Sequence, residues 1–308
     1  MKRAAAVCLS LLVMIAIPHA QGGAIKMDGY PEPGAPPIIK LLSAGDGPKA
    51  ALRFTVPASY KEHADLATQM TMSMEMGGNS IPSMSVPTMT FGCDVAVTNI
   101  GGNGDISYTM VINDVTVGSD GDQTAAAAMQ GMLGQMKGLL GTVVVSNRGI
   151  TRSLKMDVSK GPPQLSQIMD SLTSQMQSLS MPLPEEEVGV GARWEVRQAM
   201  TVGGITTFQR AEYQIVTLDG KAVALGVKLE QTAPAQAISN PMLPAEMGAR
   251  LLGMASTGTG TTTVHLDGIV PTGSMSATSQ SDMEITMGGT TQAMSTKSSI
   301  KTTTTTKR

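Results

Sequence analysis

The chain has 308 residues, and its 22 basic and 24 acidic groups leave a formal charge of −2. Without a basic patch it lacks the field that draws a protein to nucleic acid. With only 3% aromatic residues it has few rings on which bases or sugars could stack.

The first twenty residues read as an export signal. Lys2 and Arg3 precede an apolar run over 4–17, and Pro18-His19-Ala20 ends on a small residue suited to cleavage. Cleavage is expected after Ala20 or Ala24. The run is shorter than the roughly 20 apolar residues of a membrane span, and no later stretch is long and apolar enough to cross. The expected location is therefore the periplasm or the extracellular space. Cys8 lies inside the apolar run, where a lipidated cysteine does not belong. Without the leader, 20 basic and 24 acidic groups remain, a net charge of −4, together with 23 of the 25 methionines. Cys93 is then the only cysteine left, so no internal disulfide is available and the fold must rest on its core. Its apolar-phase position marks it as an inert, buried thiol.

Residues 21–36 are rich in Gly and Pro and read as an extended leader. A single β-rich domain is expected over 37–303, with a frayed tail at 304–308. Ile38–Ser43 and 51–56, separated by Gly45-Asp46-Gly47, predict a hairpin, followed by a loop carrying Tyr60 and His63. Over 69–76 the sequence is Gln-Met-Thr-Met-Ser-Met-Glu-Met. As a strand, expected over 66–76, it places Met70, Met72, Met74 and Met76 on one face. In the next strand Met89, Phe91, Cys93, Val95 and Val97 share a face. After a turn at 101–104, Ile106, Tyr108, Met110 and Ile112 alternate in the return strand. The three predict a meander with one apolar face.

Two helices interrupt the strands. Ala125, Ala128, Met129, Met132, Leu133, Met136 and Leu140 follow helical spacing, although Gly131, Gly134 and Gly138 each weaken a helix by about 1 kcal/mol relative to Ala. Leu165, Ile168, Met169, Leu172, Met176 and Leu179 form a second stripe. Between them, 142–146 and 150–158 flank the turn Asn147-Arg148-Gly149. A second block of strands begins near 188. Its hairpin over 205–218 and 221–230 turns at Asp219-Gly220. A short helix is expected over 244–252. Two or three long Thr- and Ser-rich strands, turning at Gly288-Gly289, complete the chain, and 302–307 is expected to fray. The order of elements contains no regular βαβ alternation. It predicts an α+β fold: a long curved antiparallel sheet, or a half-open β-barrel, with two to three helices packed on one face.

The order of elements, the Met-rich meander and the run Pro182-Leu183-Pro184-Glu185-Glu186-Glu187-Val188-Gly189-Val190-Gly191-Ala192-Arg193-Trp194 resemble a family of secreted bacterial proteins catalogued as a domain of unknown function. The resemblance covers about residues 38–303 and is most specific over 188–194. That family is similar in outline to periplasmic lipoprotein carriers. The resemblance implies a half-open antiparallel barrel lined by apolar side chains and plugged by helices, with a lipid-like ligand. It implies no catalytic residues.

Catalytic patterns are weak. His63 and His265, the histidines outside the leader, have no Cys or His at metal-ligand spacing. Ser298-Ser299-Ile300-Lys301 has the Ser-x-x-Lys spacing of some acylating enzymes but sits in a strand-like context. Glu185-Glu186-Glu187 reads as a solvated loop, and Asp120-Gly121-Asp122 as a turn. No nucleophile elbow or phosphate loop occurs. The expected function is therefore non-catalytic and without a cofactor: binding or carrying an apolar, lipid-like ligand in the cell envelope. Met70, Met72, Met74, Met76, Met89, Phe91, Tyr108, Met110 and Trp194 are the candidate cavity lining. One alternative is a structural or interaction protein of the envelope with a packed Met-rich core. Another is Cu(I) binding by Met70, Met72, Met74 and Met76, because thioethers suit that ion and residues two apart in a strand lie about 6.6 Å from one another.

Overall fold

A computed structural model describes residues 25–119, 123–157, 181–202, 204–238, 247–287 and 289–307. The expected export signal, the expected helix over 165–179 and the turn expected at Asp120-Gly121-Asp122 lie outside these residues.

Alternating side chains and β-branched Thr and Val make most of the chain strand. In order the elements are β1 (Ile38–Ser43), β2 (Asp46–Ala51), β3 (Lys61–Met76), β4 (Asn79–Ile100), β5 (Ile106–Val117), α1 (Gln123–Leu133), β6 (Leu140–Val145), β7 (Thr151–Asp157), β8 (Glu187–Val190), β9 (Arg193–Val202), β10 (Ile205–Asp219), β11 (Ala222–Ala233), β12 (Gln236–Ile238), β13 (Met247–His265), β14 (Thr272–Met287) and β15 (Thr290–Lys307). Among the described residues, thirteen strands form one antiparallel sheet in the order β1-β9-β10-β11-β13-β14-β15-β3-β4-β5-β6-β7, with β12 beside β13. β2 and β8 pair separately. The sheet does not close, since β1 and β7 remain as edges.

The Met meander forms as expected, with β3, β4 and β5 as neighbours. So do the β6–β7 and β10–β11 hairpins. Several expectations need correction. The hairpin expected from Ile38–Ser43 and 51–56 does not form: residues 52–56 are not strand, β1 pairs with β9, and the turn residues Asp46 and Gly47 belong to β2, which pairs with β8. The polar start of β3 hid its length, and His63 lies in the strand rather than in a loop. The helix expected over 244–252 is strand from Met247 onward, because pairing with β12 and β14 overrides a weak local preference. Residues 302–307 are not frayed; they pair with residues 63–68 of β3. The expectation of two to three helices is also not supported. One short helix, α1, is present among the described residues, followed by a single 3-10 turn (Gly134–Met136). Gly138 adopts φ 86°, which favours glycine and ends the helical run before Leu140.

Direct pairs across an antiparallel sheet share a face. The register therefore defines one continuous face holding Met72, Ser298, Ser279, Ser256, Val264 and Val95. Val264 on β13 and Val95 on β4 are separated in the sheet by β14, β15 and β3. Both nevertheless line one cavity, so the sheet curves with this face inside. Along β14 the inner positions are half-buried and the alternate, outer positions exposed.

A strap over residues 52–60 holds the curve. The Phe54 N–H donates to the Asn147 carbonyl (2.8 Å) in the β6–β7 turn, and the Thr55 N–H donates to the Leu266 carbonyl (2.6 Å) after β13. The Ile269 N–H donates to the Tyr60 hydroxyl (3.1 Å), and that hydroxyl donates to Glu62. On the outer face the Glu195 carboxylate bonds Arg197 (2.6 Å) and Arg210. Burial pushes this carboxyl up, but the hydrogen bonds from Arg210 and Arg197 outweigh it and hold the group below the usual carboxylate range. The leader packs over these residues: Tyr30 meets Phe208 edge-on at 5.4 Å and lies 5.7 Å beneath the Arg197 guanidinium.

The largest core cluster explains the 182–194 run. Leu183, Val188, Ala192 and Trp194 are all fully buried there. The indole N–H donates to the Pro182 carbonyl (3.0 Å), and the ring stacks on Tyr213 at 5.4 Å. A Cβ on Gly189 would strike the Asp46 carbonyl, so only glycine lets β8 lie this close to β2. Trp194→Ala should cost about 3–5 kcal/mol through lost burial and a residual cavity. Val216→Ala, at a position 56% exposed, should stay within about 0.5 kcal/mol. Urea unfolding measures both.

Candidate functional site

The concave face has three zones. At one end, Phe54 from the strap, Val95, Ile106, Tyr108, Met110, Val143 and Leu154 from β4–β7, and Val264, Ile269 and Pro271 from the β13–β14 corner enclose a cavity of about 200 Å³. Burial pushes the Tyr108 hydroxyl up to about 12, so it stays neutral. In the middle lies a more open trough of about 450 Å³. The register places Met72, Ser298, Ser279 and Ser256 in one row across it, so small side chains leave the space. At the other end, Met74, Met283 and Met294 are buried together, with Met72, Met76, Ile81 and Ile285 packed against them.

The nine candidate residues do not converge on one site. Tyr108 and Met110 line the cavity, and Met72 lines the trough. Met74 and Met76 belong to the methionine cluster. Met70 is half-buried in the row with Ile300, and Met89 is half-buried between Thr68 and Val117. Phe91 packs with Ile112, Val115 and Leu139 under Leu133 of α1 and Met136, so the helix covers the concave face on this wing. Trp194 sits in the core of the opposite wing and lines neither space. Cys93 is free and half-buried, and burial raises its thiol to about 11, which suppresses the reactive thiolate.

The weak catalytic patterns fare as their strand context implies. Ser298 and Lys301 are three apart in β15, so they point to opposite faces and cannot act together. Glu185 pairs with Arg148 (3.2 Å) at the surface. Among the described residues no group of three or more His, Cys, Asp or Glu could hold a metal ion. No helix among them is long and apolar enough to cross a membrane. Sequence reasoning missed Phe54, Val143, Leu154, Val264 and Ile269 as lining residues. Their strands were legible, but the strap that brings the wings together carries no periodic signal.

His63 centres a second charged contact on the outer face. Its Nδ1 lies 2.7 Å from Asp94, its Nε2 lies 3.2 Å from Asp65, and Lys307 reaches Asp65 at 3.4 Å. The contact therefore ties β4, β3 and β15 together. The Asp94 hydrogen bond raises the His63 pKa, and His63 in turn holds Asp94 below its usual range.

No protein-family model matches the chain, and a search of curated proteins finds no match.

The raised His63 pKa stabilises the fold fully below about pH 6.5, its unfolded value. That contribution is lost as pH rises through the folded value. Asp94 behaves oppositely: its contribution is present above about pH 3.9 and lost as pH falls through its depressed pKa. The melting temperature of the wild type should therefore fall as pH rises from about 6.5 through the raised His63 pKa, and His63→Gln should flatten that fall.

Proposed function

We propose that this chain is an exported, non-catalytic binding protein of the cell envelope that holds an apolar, lipid-like ligand on its concave face. The observation that carries this reading is the cavity of about 200 Å³ lined by Tyr108, Met110 and the aliphatic side chains of both wings. An engineered apolar cavity of ~150 Å³ takes a benzene ring, so this one suits a ring or a short alkyl segment. A longer ligand would continue along the concave face toward the trough beside Met72, with Met70 and Met89 at its side. The resemblance of residues 182–194 to secreted proteins similar to half-barrel carriers supports the same reading, as does the export signal. The lining is mainly aliphatic, with Tyr108 and Thr151 as its hydroxyl-bearing side chains, which suits an apolar ligand.

The packed methionine cluster favours a second reading, a structural or interaction protein of the envelope with a solid interior. Two measurements separate the readings. Native mass spectrometry after gentle purification should show an added apolar mass, and the stripped protein should bind a fluorescent fatty-acid probe. Val143→Trp, which fills the cavity, should weaken probe binding at least about tenfold, or 1.4 kcal/mol. Repeated recovery of empty protein that takes up no probe would leave the structural reading standing.

A further inference from the structure

We infer that the methionine cluster at the rim of the concave face is a Cu(I) site. It is built from three strands rather than from β3 alone. Met76 of β3 pairs directly with Met294 of β15, which pairs directly with Met283 of β14. Adjacent strands are about 4.8 Å apart, and direct pairs share a face, so three thioethers stand in one row. Met74 lies two residues along β3 from Met76 on the same face and is packed into the same cluster. Met74, Met283 and Met294 are 7%, 7% and 2% exposed.

The donor set selects the ion. Thioethers are soft and uncharged, and soft sulfur ligands favour Cu(I) among the first-row metals. Among the described residues no group of three or more His, Cys, Asp or Glu could hold a metal ion, so a hard divalent cation finds no matching ligand set beside these thioethers. A monovalent ion has the smallest charge to bury, and long Met side chains can turn their sulfurs inward without moving the strands. Access is also provided. Met287, four residues beyond Met283 on the same face, is 60% exposed, and Met84, paired with Met72, is 38% exposed. Both present thioethers to solvent beside the buried set. This inference rests on the cluster alone and is independent of the apolar cavity at the opposite end.

The full chain is titrated anaerobically with Cu(I) against a chromophoric Cu(I) chelator, and the copper X-ray absorption edge is recorded. One Cu(I) per chain should bind more tightly than about micromolar, with sulfur as its only near neighbours. Because thioethers do not titrate, binding should not change across the range in which His and Cys gain protons. Met283→Leu/Met294→Leu keeps the apolar volume and should lose the ion, whereas Met132→Leu, on the exposed side of α1, should keep it. Absence of binding tighter than micromolar, nitrogen or oxygen neighbours, or full binding by a folded double variant would each overturn the assignment. If the double variant does not fold, the single Met294→Leu variant and the absorption edge of the unmodified chain decide the question.

Discussion

An open sheet has no closing hydrogen bonds to fix its curvature, and here that task falls to the strap over residues 52–60. Its two backbone N–H donors reach carbonyls on opposite wings, Asn147 beside β6–β7 and Leu266 beyond β13. Each such bond satisfies a group that burial would otherwise leave unpaired. The Leu183 N–H adds a third tie to the Arg148 carbonyl (2.8 Å), linking the Trp194 core to the same β6–β7 turn. The cavity exists because these ties bring Val264 toward Val95 and Val143. Without them the same residues would lie on one gently twisted surface, Val264 separated from Val95 by three strands and from Val143 by five.

Curvature then divides the two faces by chemistry. The outer face of β13–β15 is exposed and rich in Thr, Ser and Lys, which suits long strands in water. The inner face is graded: aliphatic and aromatic at the strapped end, small and hydroxylated in the middle, and thioether-rich at the far rim. Small residues in the middle do not fill the concavity, and the trough follows from that lack of volume. The charged groups lie mainly outside. The Glu195–Arg197–Arg210 contacts and the Asp94–His63–Asp65–Lys307 contacts both join neighbouring strands on the convex side.

Much of the local structure was legible in the sequence. Period-two methionines located β3 and its face, the Asn-Arg-Gly and Asp-Gly turns located two hairpins, and Ser298 and Lys301 were read correctly as strand residues. The 182–194 run, which carries the family resemblance, has a structural basis: a buried indole bonded to Pro182 and a β2–β8 approach that only Gly189 permits. Local signals misled where long-range pairing decided the outcome. Residues 38–43 and 51–56 resemble a hairpin around Gly45-Asp46-Gly47, yet Asp46 and Gly47 lie inside β2, and β1 and β2 each pair with strands near residue 190, far along the chain. The region after Met247 was read as helical but became an inner strand, since two neighbours supplied its backbone hydrogen bonds.

The Met-x-Met-x-Met-x-Met pattern shows where the boundary lies. The sequence by itself determined that these four side chains share a face, because the strand period is two. It could not determine what the face meets. Only the tertiary structure decided that Met74 and Met76 join Met283 and Met294 while Met72 faces the trough. Pairing partners more than two hundred residues away and the curvature set by the strap fix those contacts, and neither leaves a periodic trace in the chain.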